Sequence, residues 1–263
     1  MLAGREQPPS DRRPGEAGRP AVRLDRVSKQ FGSRRVLDDV SFEVPRGCGF
    51  VILGRSGTGK SVTLRHIIGL VRPDAGRVWV HDDEVSALKG VDLSRVRRGI
   101  GFLFQNAALF DSISVGENVA FPLRRHTKLS DGEIRQKARE KLESVGLEQE
   151  YDQMPGALSG GMRKRAGLAR ALALDPGLLL VDEPSAGLDP ITADEIDELL
   201  LSLKQHGGTT LIVVTHNISS ARRLGDRLIM LHEGRVVAQG TPEELDRSSD
   251  ELVQAFMTSR HAG

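Results

Sequence analysis

Apolar residues alternate with polar ones near the start of the chain and recur at other spacings further along. The alternation in VRLDRV (22–27) and VLDDVSFEV (36–44) predicts half-buried antiparallel strands, because successive side chains of a strand point to opposite faces. The unbroken apolar run CGFVILG (48–54) predicts a buried parallel strand. Helical spacing follows over residues 60–70, and RVWV (77–80) predicts a further strand after a turn.

The middle of the chain changes to helical spacing. Ser130 followed by Glu133 forms a capping-box pattern, which predicts the start of a helix. Residues 115–123 and 160–172 also place apolar side chains three and four positions apart, the spacing of one helix face. These segments together predict a mostly helical insert over about residues 106–172.

Strands and helices alternate again after this insert. LLLVD (Leu178–Asp182) and LIVVT (211–215) are short apolar runs that predict buried strands. Between them, Asp189 and Pro190 have the residue types of a helix N-cap and first turn. RLIMLHEGRVVAQG (227–240) predicts a hairpin. The alternation predicts an α/β fold with a parallel sheet and helices on both faces.

Composition divides the chain into three parts. Residues 1–20 are rich in Pro, Gly, Arg and Glu and predict a disordered N-terminal extension. Residues 21–249 hold the α/β pattern and are predicted to form one domain, and residues 250–263 are predicted to form a short helix and tail.

No apolar run approaches the roughly 18–20 residues of a membrane-spanning helix. We therefore expect a cytosolic protein, which can still dock at a membrane.

Charge and composition narrow the classes of function. The formal net charge is +1 and aromatic residues make up 4% of the chain, so neither a basic surface nor a stacking platform for bases is indicated. We expect no nucleic-acid partner. The single cysteine, Cys48, excludes an internal disulfide and fits a reducing compartment.

The segment GRSGTGKS (54–61) matches the pattern of a phosphate-binding loop between a strand and a helix. Its glycines let several backbone N–H groups converge on phosphate oxygens, and the helix N-terminus adds a partial positive charge. We expect Lys60 to reach the β- and γ-phosphates and the Ser61 hydroxyl to bind Mg²⁺. The predicted phosphate-binding residues are Gly54, Arg55, Ser56, Gly57, Thr58, Gly59, Lys60, Ser61 and Val62.

Polar residues follow three other predicted strands. Asp182 would lie beside the Mg²⁺, and Glu183 directly after it could orient or deprotonate a water. His216 follows a further parallel strand, near the expected position of the γ-phosphate. Gln105 ends another strand, where its amide could contact Mg²⁺ or the attacking water. A base beside a metal-bound triphosphate indicates hydrolysis rather than storage of the nucleotide.

These segments together resemble the ATP-binding cassette (ABC) family over about residues 22–245. The most specific matches are LSGGM (158–162) and SAGLD (185–189), and Gln105 and His216 fall at the positions of the family's Q-loop and switch histidine. The resemblance implies ATP and Mg²⁺ as cofactors. It also implies a P-loop NTPase fold: a RecA-like parallel sheet core, an antiparallel β subdomain and an inserted α-helical subdomain.

The LSGGM segment has no group for acid–base chemistry, but it can bind an anion. Ser159 is predicted to cap a helix whose first N–H groups lack partners, and Gly160 and Gly161 allow close approach to the backbone. The resemblance implies that this helix end closes over the γ-phosphate held by a second copy, in a head-to-tail ATP-sandwich dimer. It further implies that Asp189 contributes to nucleotide binding and that Phe31 stacks on adenine.

Two details of this segment add to the prediction. Met162 stands where most members of the family have Gln, so any polar contact of that side chain is missing. The helix that follows carries several basic residues, which we expect to form a solvated face. These are Arg163, Lys164, Arg165 and Arg170.

Residues 103–130 and the PITA sequence after SAGLD look most like the ATPases of MCE-type lipid transporters, the Mla-type phospholipid systems of bacterial envelopes. That resemblance implies an integral-membrane permease and an MCE-domain lipid-binding protein as partners, at the cytoplasmic side of a bacterial inner membrane. Leu109, Phe110 and Ile113 suit either a partner's groove or a local core. Two alternatives stay open: the ATPase of an amino-acid-type importer, and a soluble iron–sulfur scaffold ATPase.

Overall fold

Two β-sheets and their flanking helices make up the part of the chain that the structure describes. The structure is a computed structural model, and it describes residues 18–258 except for the side chains of residues 206 and 207. The strands are β1 (Val22–Phe31), β2 (Arg34–Val44), β3 (Gly49–Leu53), β4 (Ala75–Val80), β5 (Asp83–Glu84), β6 (Ile100–Leu103), β7 (Leu178–Asp182), β8 (Thr210–Thr215), β9 (Arg227–His232) and β10 (Arg235–Gly240). The α-helices are α1 (Lys60–Ile67), α2 (Gly90–Arg98), α3 (Val115–His126), α4 (Asp131–Glu143), α5 (Gly160–Ala171), α6 (Pro190–Gly207), α7 (Ile218–Leu224), α8 (Pro242–Asp246) and α9 (Glu251–Thr258).

The larger sheet has six strands in the order β10-β9-β3-β8-β7-β6, and all but β10 run parallel. Every residue of β3, β7 and β8 is buried, as the unbroken apolar runs predict. In the register, Leu53 pairs with Thr215 and Asp182 pairs with Val214, so the three strands end together. The loops that follow these strands therefore meet at one edge of the sheet.

The smaller sheet is antiparallel, with the strand order β2-β1-β4-β5. It confirms the two strands predicted near the start of the chain. Strand β4 begins at Ala75, earlier than predicted, because the segment expected to turn already pairs with β1. Phe42 of this sheet and Phe50 of β3 stack with ring centroids 5.3 Å apart, so aromatic packing joins the two sheets.

Helices α3, α4 and α5 lie between β6 and β7 in the chain, where the helical insert is predicted. Their apolar faces share one core, in which Val119, Leu142 and Leu168 are fully buried. The Ser130–Glu133 capping box is present at the start of α4. The limits of the insert, about 106–172, and of the whole domain, 21–249, stay predictions.

The ends of the chain lie mostly outside the described residues. The predicted disordered extension, 1–20, is described only from residue 18 onward. Helix α9 matches the predicted C-terminal helix, whereas residues 259–263 of the predicted tail are outside the description. Among the residues described, none of the helices has the length and apolar content needed to cross a bilayer.

Candidate active site

The loop between β3 and α1 wraps around the start of the helix. Gly59, the N-cap of α1, has a φ of 105°. A Cβ atom there would lie 2.6 Å from Leu37 Cδ2 and 2.8 Å from the Val36 carbonyl oxygen, so only glycine fits. The loop and the β1–β2 hairpin enclose a cavity of about 250 Å³. The residues that line it are Arg34, Val36, Gly57, Gly59, Lys60, Ser61 and Val62.

Lys60 is the buried cation of this loop, with 5% of its surface exposed. Its Nζ donates hydrogen bonds to the carbonyl oxygens of Gly54, at 2.8 Å, and Arg55, at 3.2 Å. The same atom lies 3.0 Å from Glu183 Oε1, at the end of β7. Lys60 therefore joins the phosphate-binding loop to the acidic end of the neighbouring strand.

Ser61 and Asp182 provide two adjacent oxygen atoms. The Ser61 hydroxyl donates a 2.8 Å hydrogen bond to Asp182 Oδ1. Burial raises the pKa of the Asp182 carboxyl and Glu183 adds to that shift, whereas the bond from Ser61 opposes it. A hydroxyl and a carboxylate oxygen at this separation form the hard donor set that Mg²⁺ prefers. The two residues thus fit the predicted metal site.

Glu183 is fixed at both its backbone and its side chain. Its N–H donates to the Val214 carbonyl at 2.9 Å, and its Oε2 lies 2.9 Å from Nδ1 of His216. Its φ of 46° is uncommon for a residue with a side chain and more so before a proline, here Pro184. Strain of this kind concentrates at functional sites. Lys60, Glu183 and His216 are therefore one connected cluster.

Gln105 and Phe31 lie apart from this cluster. Gln105 is exposed, two residues beyond the end of β6. Phe31 ends β1 with 48% of its surface exposed, and Lys29 Nζ lies 5.3 Å from its ring centroid. Neither side chain joins the cluster through a hydrogen bond or ion pair within the described residues. The geometry leaves both free to meet a ligand.

The LSGGM segment starts α5 as predicted. Ser159 caps the helix and its Oγ accepts a 3.2 Å hydrogen bond from the Met162 N–H. Ser159 and Gly160 are exposed. Gly161 is buried against Thr192 of α6, where any Cβ would collide with the threonine side chain. Within the described residues, no hydrogen bond or ion pair joins this segment to the phosphate-binding loop.

Asp189 acts as the N-cap of α6. Its Oδ1 accepts hydrogen bonds from the N–H groups of Ile191, at 3.1 Å, and Thr192, at 3.0 Å. The Thr192 hydroxyl donates to its other oxygen at 2.6 Å. Through Thr192, which also packs on Gly161, the cap of α6 and the start of α5 are held side by side.

The predicted solvated basic face of α5 is wrong at Lys164. Only 5% of Lys164 is exposed, and its Nζ donates a 3.0 Å hydrogen bond to the carbonyl oxygen of Glu183. Arg170 is partly buried, and its guanidinium donates to the carbonyl oxygens of Ala107 and Ala108. The buried face of α5 includes Lys164 because it stands at helical spacing from buried neighbours, a signal that the sequence contains.

Sequence reasoning also missed Arg34. This residue begins β2, and its Nη2 donates a 3.1 Å hydrogen bond to the Gly57 carbonyl in the phosphate-binding loop. It adds a second cation to the cavity that holds Lys60. No local motif marks Arg34, because only the packing of the hairpin against the loop brings it there.

Known proteins have sequences similar to that of this chain. The family model of ABC transporters matches residues 37–186. The chain is 42% identical over 243 residues to the probable ribonucleotide transport ATP-binding protein mkl of Mycobacterium leprae, covering 92% of this chain and 70% of that protein. It is 40% identical over 242 residues to the intermembrane phospholipid transport system ATP-binding protein MlaF of Haemophilus influenzae, covering 92% of each.

A solved structure agrees with the fold. It is the dimeric post-hydrolysis state of an ATP-binding cassette bound to ADP and Pi, which matches with a TM-score of 0.79 and 35% identity, over 84% of this chain and 98% of that one. The parallel core, the antiparallel sheet and the helices between β6 and β7 are thus the P-loop fold that the resemblance implies. The chain therefore belongs to the ABC transporter family, as an ATP-hydrolysing, nucleotide-binding subunit.

Proposed function

We propose that this chain powers phospholipid transport through a separate membrane permease, by hydrolysing ATP between two copies of itself. The observation that supports the ATP chemistry most strongly is the cluster of Lys60, Glu183 and His216 beside the Ser61–Asp182 pair. A phosphate-directed cation, a base and a metal-binding pair meet at the carboxyl edge of one parallel sheet, where α/β folds bind their ligands.

Residues of the phosphate-binding loop hold the triphosphate in this proposal. Backbone N–H groups of residues 54–62 surround the phosphates, Lys60 and Arg34 supply positive charge, and Phe31 offers its exposed face to the adenine. Ser61 and Asp182 would hold Mg²⁺, and Gln105, two residues beyond β6, would be a further ligand. When bound, Mg²⁺ neutralises charge that builds up on the phosphate oxygens.

Glu183 accepts the proton of the attacking water. Its carboxylate is oriented from two sides, by Lys60 at Oε1 and His216 at Oε2, so little reorganisation is needed when the water arrives. His216 stands between Glu183 and the position we propose for the γ-phosphate. In this position its ring N–H can donate a hydrogen bond either to the Glu183 carboxylate or to the phosphate.

Replacing Lys60 by alanine is expected to weaken ATP binding by about 2 kcal/mol or more, roughly 30-fold, because a buried phosphate-directed cation is lost. Isothermal titration of the isolated chain with ATP measures the change. Lys141→Met is the control, since this lysine pairs with Asp175 away from the site and should bind ATP like the parent. ATP affinity unchanged in Lys60→Ala would refute the role of the loop.

The second copy completes the site in this proposal. At the N-terminus of α5, Ser159 and Gly160 are exposed and Gly161 follows them, and the first N–H groups of the helix, which have no carbonyl partner within it, can receive the γ-phosphate of a partner. Asp189 holds the neighbouring helix in register with it. ATP then joins two copies head to tail, and its hydrolysis releases them.

An apolar groove beside β6 is the proposed binding site for the permease. It has a volume of about 540 Å³. Phe110 and Phe121 face each other in it with ring centroids 5.0 Å apart, and each is about half exposed. Leu109 and Ile113 are only partly exposed, so the predicted exposed apolar surface reduces to Phe110. The charged residues that line the groove are all basic, which favours an apolar helix that carries carboxylates.

Truncating Phe121 to alanine is expected to weaken permease binding by about 2 kcal/mol, the usual cost of losing an aromatic anchor. Val237→Ala is the matched control, because Val237 is an exposed apolar residue of β10, at the opposite edge of the same sheet. Co-purification of the permease with tagged chain in detergent reports binding. Equal recovery with both variants would contradict the proposed binding site.

The proposal of a phospholipid substrate rests on the similarity of this chain to named relatives. The Haemophilus influenzae relative, a phospholipid transport ATP-binding protein by name, matches this chain over 92% of both lengths. The Mycobacterium leprae relative is named for ribonucleotide transport, so ribonucleotides are a second candidate substrate class. In proteoliposomes with the permease, the proposal expects ATP-dependent movement of labelled phospholipid. Movement of ribonucleotide alone would support the second candidate.

The proposed partners and location follow from this substrate class. They are the permease, an MCE-domain lipid-binding protein and a second copy of the chain, at the cytoplasmic side of a bacterial inner membrane. Fractionation separates this arrangement from a soluble scaffold ATPase. The chain should sediment with membranes when the permease is present and stay in the supernatant when the permease is deleted.

A further inference from the structure

Lys164 connects two parts of the site that have separate roles. It lies on α5, five residues beyond the cap residue Ser159, on the buried face of the helix. Its Nζ donates a 3.0 Å hydrogen bond to the main-chain carbonyl oxygen of Glu183. The same helix that presents Ser159 at its N-terminus therefore holds the backbone of the chain's own Glu183.

The backbone of Glu183 has a conformation that requires support. A φ of 46° before Pro184 is sterically unfavourable, so neighbouring contacts must maintain it. The described contacts are three: the Glu183 N–H to Val214, the Ala186 N–H to the Glu183 carbonyl at 3.2 Å, and Lys164 to that same carbonyl. Only the last comes from outside the sheet and its own loop.

Packing alone does not explain a lysine at this position. Lys164 is 5% exposed, and within the described residues no carboxylate oxygen lies within ion-pair distance of its Nζ. Burying an ammonium group without a paired carboxylate is unfavourable, and an apolar residue of the same length would fill the space at less cost. What the ammonium adds is a donor to the Glu183 carbonyl and positive charge near Asp182 and Glu183.

We propose that Lys164 is a positioning residue that makes the orientation of Glu183 depend on the position of α5. This inference rests on the proposed roles of Glu183 and Ser159. When the N-terminus of α5 closes on ATP held by the partner, the helix carries Lys164 with it, and Lys164 moves the backbone of Glu183 at the chain's own ATP. Closure at one site thereby sets the base at the other.

The first test removes the ammonium group of Lys164 and keeps an unbranched side chain of similar length. Lys164→Met should lower kcat at least about ten-fold while the KM for ATP changes less than about two-fold, because only the transition-state geometry is affected. Lys164→Arg, which keeps a charged donor, should recover most of the rate. Lys141→Met, the same change on α4, should behave like the parent. If Lys164→Met proves unstable, Lys164→Gln replaces it, with a smaller loss expected.

A double-mutant cycle distinguishes positioning from a general structural role. If Lys164 acts through Glu183, adding Lys164→Met to Glu183→Gln should cause no further loss of rate. A structural role would lower the rate by the same factor in both backgrounds.

A second measurement does not require ATP turnover. Amide hydrogen exchange at Ala186, which shares the Glu183 carbonyl, should accelerate in Lys164→Met and not in Lys141→Met.

These results separate this inference from the proposed function. Normal kcat and unchanged exchange at Ala186 in Lys164→Met would overturn the role of Lys164, even if Glu183→Gln were inactive. A Glu183→Gln variant that hydrolyses ATP at the parent rate would instead overturn the proposed base. A loss of rate that is equally large in the Glu183→Gln background would also overturn the positioning role.

Discussion

Replacing Glu183 by glutamine is expected to slow ATP hydrolysis about 1,000-fold, within the range that general-base catalysis contributes. Glutamine keeps the shape of the side chain, but its amide cannot accept the proton of the attacking water. It also removes the negative charge that now lies 3.0 Å from Lys60. ATP binding should persist, because Lys60 and the loop are retained. The ATP-bound dimer should therefore accumulate.

Single-turnover hydrolysis of radiolabelled ATP measures the rate, and light scattering measures the mass of the trapped species. Glu148→Gln is a suitable control, since Glu148 is an exposed carboxylate in the 3₁₀ turn Glu148–Glu150, and no hydrogen bond or ion pair among the described residues joins it to the cluster. Its rate should match the parent. Turnover by Glu183→Gln within a few-fold of the parent would rule out the proposed base.

Replacing Ser159 by arginine is expected to lower hydrolysis about 100-fold, the usual cost of losing one anion-binding donor at a reacting phosphate. The arginine removes the cap of α5 and fills the exposed space in front of Gly160. The partner's phosphate can then no longer reach the helix N-terminus. ATP affinity of the single chain should not change, because no hydrogen bond or ion pair among the described residues joins Ser159 to its own phosphate-binding loop.

Ser130→Arg is the matched control for that variant. Ser130 is also an N-cap serine, on α4, so both substitutions remove a helix cap worth about 1 kcal/mol. Only the change at Ser159 should lower turnover about 100-fold, as followed by phosphate release at saturating ATP. An unchanged rate in Ser159→Arg, or an equal loss in both variants, would contradict the contact between α5 and a partner's nucleotide.

Much of the fold follows from short-range patterns. Strands β3, β7 and β8 are buried on both faces, so their sequences are nearly pure apolar runs that a parallel sheet requires. The helix α2 (Gly90–Arg98) escaped prediction because Val96 is its only buried residue, so no stripe of buried apolar side chains marks it.

The residues of the site also differ in whether the sequence predicts them. Lys60 in the phosphate-binding loop and Glu183 directly after β7 could be predicted, because each belongs to a local motif that determines its place. The contact of Arg34 with the loop and that of Lys164 with Glu183 could not be predicted, since packing between separate elements creates both, although helical spacing already places Lys164 on the buried face of α5. The sequence shows that Lys164 is basic and helical. Only the structure shows that its ammonium group is buried against a carbonyl.

The central claim is that two copies of this chain share each ATP. The most direct test measures the ATP hydrolysis rate per chain as the isolated protein is diluted at saturating ATP, with light scattering at each concentration. The account predicts that the rate per chain falls as dimers dissociate, and that the activity becomes proportional to the square of concentration. A constant rate per chain where only single chains are detected would contradict it.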